Sequence, residues 1–214
     1  TTGNFNTAMG HGALNANTTA SNNTGIGYFA LISNTTGASN VAVGSFALDA
    51  NTTGGNNVAV GESALSANTT ALNNIGIGVA SLLTNSTGYS NIGIGTSALR
   101  LTTTSVNNTA VGYRAGYSQT TGAGRNVFIG RDTGFTSTGE RNTFVGDFSG
   151  NVMTSGSKNT IIGRYDGNSG GLDIRTSSNN IVLSDGDGNP RLFIDSNGGM
   201  SVGTVAKSTS TNNA

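Results

Sequence analysis

The chain has 214 residues, among them 34 Gly, 31 Thr, 29 Asn and 24 Ser, so more than half is small or turn-prone. Only 9% is charged, against about 25% in an ordinary globular domain. Ten basic residues balance ten acidic ones and there is no Cys, which excludes a net field for nucleic acid, a disulfide framework and Cys-bound zinc. A single His (His11), no Trp and no apolar run near the roughly 18 residues of a membrane helix thin the inventory further. The composition points away from an enzyme, from any cofactor and from membrane insertion.

From the first residues a repeat of the form N-x-[AG]-[VI]-G is visible, and its Gly falls at 10, 27, 44, 61, 78, 95, 112, 130, 146 and 163. Four residues before each stands an Asn: Asn6, Asn23, Asn40, Asn57, Asn74, Asn91, Asn108, Asn126, Asn142 and Asn159. A spacing close to 17 residues, held over ten copies, identifies a repeat architecture. The third copy, residues 40–56, shows the unit. Val41 and Val43 share one strand face, Ala42 takes the other, and Gly44 ends the run. Phe46-Ala47-Leu48 reads as a second short strand, and "DANTTGG" as the turn that brings the chain round. The expectation is an all-β, elongated β-roll or β-solenoid over residues 1–167. Its Asn residues would form a structural ladder, since stacked rungs place each side chain beside its own copy. Ten rungs at about 4.8 Å each make a rod of roughly 50 Å.

Two positions change along the rod. The residue eight after the Asn is Leu in six rungs (Leu14, Leu31, Leu48, Leu65, Leu82, Leu99) and Gly in four (Gly116, Gly134, Gly150, Gly167). The residue two after the Asn is Ala or Gly in seven rungs, then Phe128, Phe144 and Ile161. That small-residue row suits close contact between chains, and a rung this short has little interior of its own. A closed homo-oligomer is therefore expected. Charge is also uneven, because residues 1–99 carry only Asp49 and Glu62.

From about 168 the period fails. Residues 181–184, 191–195 and 200–203 read as three strands joined by the turns "DGDGNP" and "SNGG", forming a β-meander over 168–204. Residues 205–214 read as a solvated tail.

Chemistry-bearing patterns have plain structural readings. Asp185, Asp187 and Asn189 imitate a calcium loop but lack the terminal Glu, so a hairpin turn is expected and no metal site. "GIGYFA" and "GIGVAS" are repeat units and not dinucleotide fingerprints. His11 occupies a tolerant surface position. Asp132, Asp147 and Asp166 sit one rung apart, and solvent-facing charges are expected there in place of a hydrolytic pair. The Asn of "NTT" at 17, 34, 51 and 68, and of "NST" at 85, matches a glycosylation acceptor but reads as a turn. The adjacent Thr pairs raise an ice-ordering array as an alternative, although neighbours on a strand point opposite ways. Receptor contact is best assigned to large side chains that break the repeat: Tyr113, Arg114, Tyr117, Arg131 and Tyr165.

The "NNVAVG" unit resembles the head repeats of trimeric autotransporter adhesins, which form β-rolls in homotrimers. Runs such as "NTTGGNNVAVG" (51–61), "NTAVGYRAG" (108–116) and the 179–204 segment resemble phage tail-fibre proteins more closely. In those fibres such a segment precedes a self-cleaving intramolecular chaperone. The resemblance covers residues 1–204 and implies a homotrimeric, extracellular virion tail fibre. Its partners would be other fibre or tail proteins and a host cell-surface glycan or protein. The head of a bacterial surface adhesin is the alternative.

Overall fold

The computed structural model describes residues 2–122 and 124–203, so the expected tail at 205–214 lies outside the described residues. None of the described residues is helical, and the chain is a β-solenoid. Each repeat contributes one strand of three residues. These are β1 (Thr7–Met9), β2 (Thr24–Ile26), β3 (Val41–Val43), β4 (Val58–Val60) and β5 (Ile75–Ile77). The series continues with β6 (Ile92–Ile94), β7 (Thr109–Val111), β8 (Val127–Ile129), β9 (Thr143–Val145) and β10 (Thr160–Ile162). All ten pair in parallel with their sequence neighbours, and equivalent residues face each other, as in Val41↔Val58 and Ala42↔Ala59.

Numbering each rung from its Asn as position 0, the Asn row forms a continuous ladder. The backbone N–H of each Asn donates to the side-chain Oδ1 of the preceding one, at 2.9 Å for Asn23 to Asn6 and for Asn40 to Asn23. Its Nδ2 crosses the rung to a turn carbonyl, as Asn40 does to Gly54 at 2.8 Å. The second Asn row meets it there, since Asn51 Nδ2 donates to the same oxygen at 2.9 Å. Asn34, Asn51, Asn68 and Asn85 are buried, so the amides of the acceptor-like triplets hold turns from the inside. Asn85 Oδ1 alone in this row is unpaired, because the next rung replaces Asn with Thr102.

Position +4 must be Gly. At Gly44 the backbone has φ +136°, and a Cβ there would lie 2.6 Å from the carbonyl oxygen of Gly61 in the next rung.

The Phe46-Ala47-Leu48 piece is not a second strand. Phe46 and Leu48 are left-handed, with φ of 57° and 52°, and the same alternation recurs in Phe29/Leu31 and Ala80/Leu82. This zigzag points successive amides along the rod: Phe46 N–H donates back to Tyr28 O at 2.9 Å, and Leu48 N–H forward to Ala64 O at 3.1 Å. The left-handed residues cost about 1–2 kcal/mol each in isolation. The inter-rung bonds and the burial of Leu48 offset that cost.

The small +2 row does not face a neighbouring chain. Ala42, Ala59 and Ala110 are wholly buried in the chain's own interior, against the +8 Leu of the rung before. At Gly25 the nearest side-chain atom to a built Cβ is Leu14 Cγ at 3.2 Å, and at Gly76 it is Leu65 Cγ at 3.2 Å. The rule is one large partner per pair. Where +2 becomes Phe the +8 residue is Gly: Phe128 lies against Gly116 of the rung before and Gly134 of its own rung, Phe144 against Gly150 of its own rung, and both phenyl rings are buried.

The period also does not end at 168. β11 (Ile181–Ser184) pairs in parallel with β10, with Ile181 opposite Thr160, so a spacing of 21 residues still closes a rung. Asn180 is an eleventh ladder residue, and its N–H donates to Asn159 Oδ1 at 2.9 Å. β11 then pairs antiparallel with β12 (Pro190–Ile194), and β12 with β13 (Met200–Val202), all within the same sheet.

Candidate functional site

Because +2 faces inward, +1 and +3 face outward along the whole sheet. The +3 row runs Met9, Ile26, Val43, Val60, Ile77, Ile94, Val111, Ile129, Val145 and Ile162, without a polar residue. Strand register carries it on through Leu183, Leu192 and Val202. Ile77, Ile94, Ile129 and Ile162 are 36–47% exposed, although β-branched side chains of this size are usually buried. The +1 row beside it is Val, Ile or Thr as far as Ile181, then Ile194 and Met200. Thirteen strands at about 4.8 Å, and a width of roughly 10 Å, give an outward face on the order of 600 Å², apolar throughout at +3 and interrupted at +1 by Thr7, Thr24, Thr109, Thr143 and Thr160.

A second surface lies at the corner after this face, at positions +5, +6 and +9. Arg131, Asp147 and Arg164 are the +5 residues of three successive rungs and alternate in sign. Arg131 binds Asp147 in a fork, Nε to Oδ1 at 2.9 Å and Nη2 to Oδ2 at 3.2 Å, while Arg164 Nε stands 3.7 Å from Oδ2. The Arg131 guanidinium, followed by Arg164, holds the Asp147 carboxyl below the usual carboxylate range. Both guanidinium groups lie over Phe148, at 4.4 and 5.4 Å from its centroid.

At +6, Arg114 Nε donates to Asp132 Oδ1 at 2.6 Å, and the guanidinium also sits over Tyr113 and Phe135. Asp132 is therefore a buried, paired carboxylate and not a solvent-facing charge. Tyr117 stacks on Phe135, the same +9 position one rung on, at 5.0 Å.

The five residues assigned to receptor contact thus separate. Tyr113 and Arg131 are exposed, Arg114 and Tyr117 are half-buried and tie adjacent rungs together. Tyr165 presents nothing to a partner. It is wholly buried, its hydroxyl donates to Leu172 O at 2.8 Å, and burial pushes the phenol well above its ordinary range.

Sequence reasoning passed over a further aromatic cluster on the first rungs, formed by His11, Tyr28, Phe29 and Phe46. His11 stacks on Tyr28 at 5.5 Å, and Tyr28 meets Phe46 edge-on at 5.4 Å. Its signal was available as aromatics at +5 and +6 of consecutive rungs.

The Thr pairs divide by function. The first hydroxyl of each is tied down, as Thr35 Oγ1 donates to Thr52 O at 3.0 Å and Thr52 Oγ1 to Thr69 O at 3.1 Å. The second Thr, as in Thr36, Thr53 and Thr70, is exposed without such a bond, so this edge offers one row of free hydroxyls and not a flat array. "DGDGNP" is a hairpin turn in which Asp185 Oδ1 accepts from the N–H groups of Asp187 and Asn189, and Oδ2 pairs with Arg191. The Asn189 N–H above all, then Arg191, pulls the Asp185 carboxyl down to about 2.

No family model, curated protein or solved structure matches the chain.

Proposed function

We propose that this chain is one protomer of a homotrimeric adhesive fibre, of the phage tail-fibre kind, that attaches a particle to a host cell surface and carries out no chemistry. The supporting observation is the outward Val/Ile face. Its +3 row runs without a polar residue over thirteen strands, a contiguous exposed apolar stripe of the kind that marks an interaction surface. Identical copies are its natural occupants, because the face is uncharged and repeats with the pitch of the rungs, so copies in register interdigitate row by row. Around a threefold axis the +1 and +3 rows of each strand meet two different neighbours, and the assembly closes.

The corner surfaces then stand outward in three copies. Weak contacts through exposed aromatic and Arg side chains gain strength by multivalency, by factors of about 10²–10⁴. The stacked rungs fix the spacing of those copies rigidly.

Light scattering after size exclusion tests the assembly. A mass near three times 21.4 kDa is expected for the wild type. The double substitution Ile77→Lys and Ile94→Lys, on the face and outside the core, should abolish that species. A wild-type monomer overturns the trimer. A trimer that binds no bacterial cell surface in a labelled-protein assay overturns the adhesive role.

A further inference from the structure

The 21-residue spacing between Asn159 and Asn180 adds a loop at residues 166–175, and the Asp185–Asn189 turn stands against it. A cavity of about 150 Å³ opens at that joint, lined by Phe148, Asn151, Arg164, Asp166, Ser169 and Asp187. We propose that this cavity is a carbohydrate subsite that takes one neutral pyranose of a surface polysaccharide.

Its size and its chemistry both point that way. A cavity of this volume admits a single six-membered ring. Phe148 forms the apolar side of the cavity, with the Arg131 and Arg164 guanidinium groups over its ring. The polar groups are mixed, with donors from Arg164 and from the Asn151 amide, one proton of which goes to Asp132 O, and acceptors from Asp166, Asp187 and the Ser169 hydroxyl oxygen, whose own proton is held by Asp166. A hydroxyl both donates and accepts, so a polyol satisfies such a set where a simple ion cannot.

Two carboxylates against one guanidinium repel an anionic sugar or a phosphate. Arg164 in turn repels a metal ion, and no metal-ligating cluster occurs among the described residues. The groups are also available. Arg164 is held to Asp147 only at 3.7 Å, and the Asp187 carboxylate makes no hydrogen bond or ion pair among the described residues. Asp166 is preset, since its Oδ1 already accepts from Asn168 N–H and Ser169 Oγ at 2.9 and 2.8 Å.

The inference names the ligand class of the adhesive reading above. Calorimetry and saturation-transfer NMR on the full chain would use glucose, galactose, mannose and N-acetylglucosamine, with sialic acid and Ca²⁺ as charged probes. Saturable millimolar binding of at least one neutral sugar is expected. Asp187→Asn and Arg164→Gln should each weaken it about tenfold. Glu62→Gln, in the rung of β4 and five rungs before Phe148, should leave it unchanged.

Asp187 and Arg164 are exposed, so circular dichroism of both variants should match the wild type. Binding of no neutral sugar, binding of the charged probes alone, or binding that survives both substitutions overturns the subsite. A trimer without sugar binding removes only the subsite, whereas a monomer that still binds sugar removes only the fibre.

Discussion

The pairing of +8 in one rung with +2 in the next makes a quantitative demand on Gly116 and Phe128. Phe128 is wholly buried, and truncation to Ala leaves a ring-sized void in a rung that stacked neighbours hold open, a loss of about 4 kcal/mol. Gly116→Leu in the wild type forces a side chain into space already taken. A Cβ there lies 2.6 Å from Phe128 Cδ2 and 2.9 Å from Leu99 Cδ2. Overpacking and the left-handed backbone, φ +62°, together cost about 3 kcal/mol. If the sites were independent, the double variant would lose about 7 kcal/mol.

The first six rungs show the alternative packing, in which a left-handed Leu such as Leu82, φ 52°, lies against a small partner. Gly116→Leu with Phe128→Ala recreates that pair. Only the backbone strain and an imperfect fit should remain, about 4 kcal/mol in all, so the coupling is about 3 kcal/mol. Denaturant unfolding followed by circular dichroism, at one protein concentration for all four proteins, measures each corner of the cycle. Strict additivity would refute the claim that these two residues share one space.

The two arginine–aspartate pairs should behave differently. Arg114→Ala strands the buried Asp132 carboxylate and should cost about 2 kcal/mol, below the value for a fully buried pair because the guanidinium is about one-third exposed. Arg131→Ala breaks an exposed pair and should leave the unfolding midpoint nearly unchanged, and equal effects would contradict this assignment. Asp185 has a folded pKa of about 2, depressed from an ordinary carboxylate value. Its contribution is therefore present above about pH 4 and lost as pH falls through 2, and Asp185→Asn should flatten the stability profile in that window. Thr102→Asn offers a donor to the unpaired Asn85 Oδ1 and should raise stability by about 1 kcal/mol, net of the Thr102 bond to Gln119 O, and a fall in melting temperature would count against the ladder account. Tyr165→Phe should cost about 1 kcal/mol through the lost bond to Leu172 and leave adhesion intact, whereas a receptor residue would do the reverse.

The period, the Asn ladder, the alternation of Val41 and Val43 against Ala42 and the recurrence of Gly44 were all legible in the sequence. Each depends on a residue meeting its own copy one rung away, and a repeat writes that contact directly into the chain. What required the tertiary structure was how a rung closes. Ala42 is small whether it faces a neighbouring chain or its own interior, and only the path of the turns sends it inward against Leu31 and leaves Val41 and Val43 outside. Phe46-Ala47-Leu48 has a strand's composition, yet closing a 17-residue loop demands left-handed turns there, which residue type does not announce. Asn180 and Tyr165 were misread for the same reason. A four-residue insertion hides the last rung from a fixed period, while the loop it creates folds back over Tyr165 and donates Leu172 O to its hydroxyl. Periodicity records contacts between rungs, whereas the inside and outside of a rung are set by loop closure, which no single repeat contains.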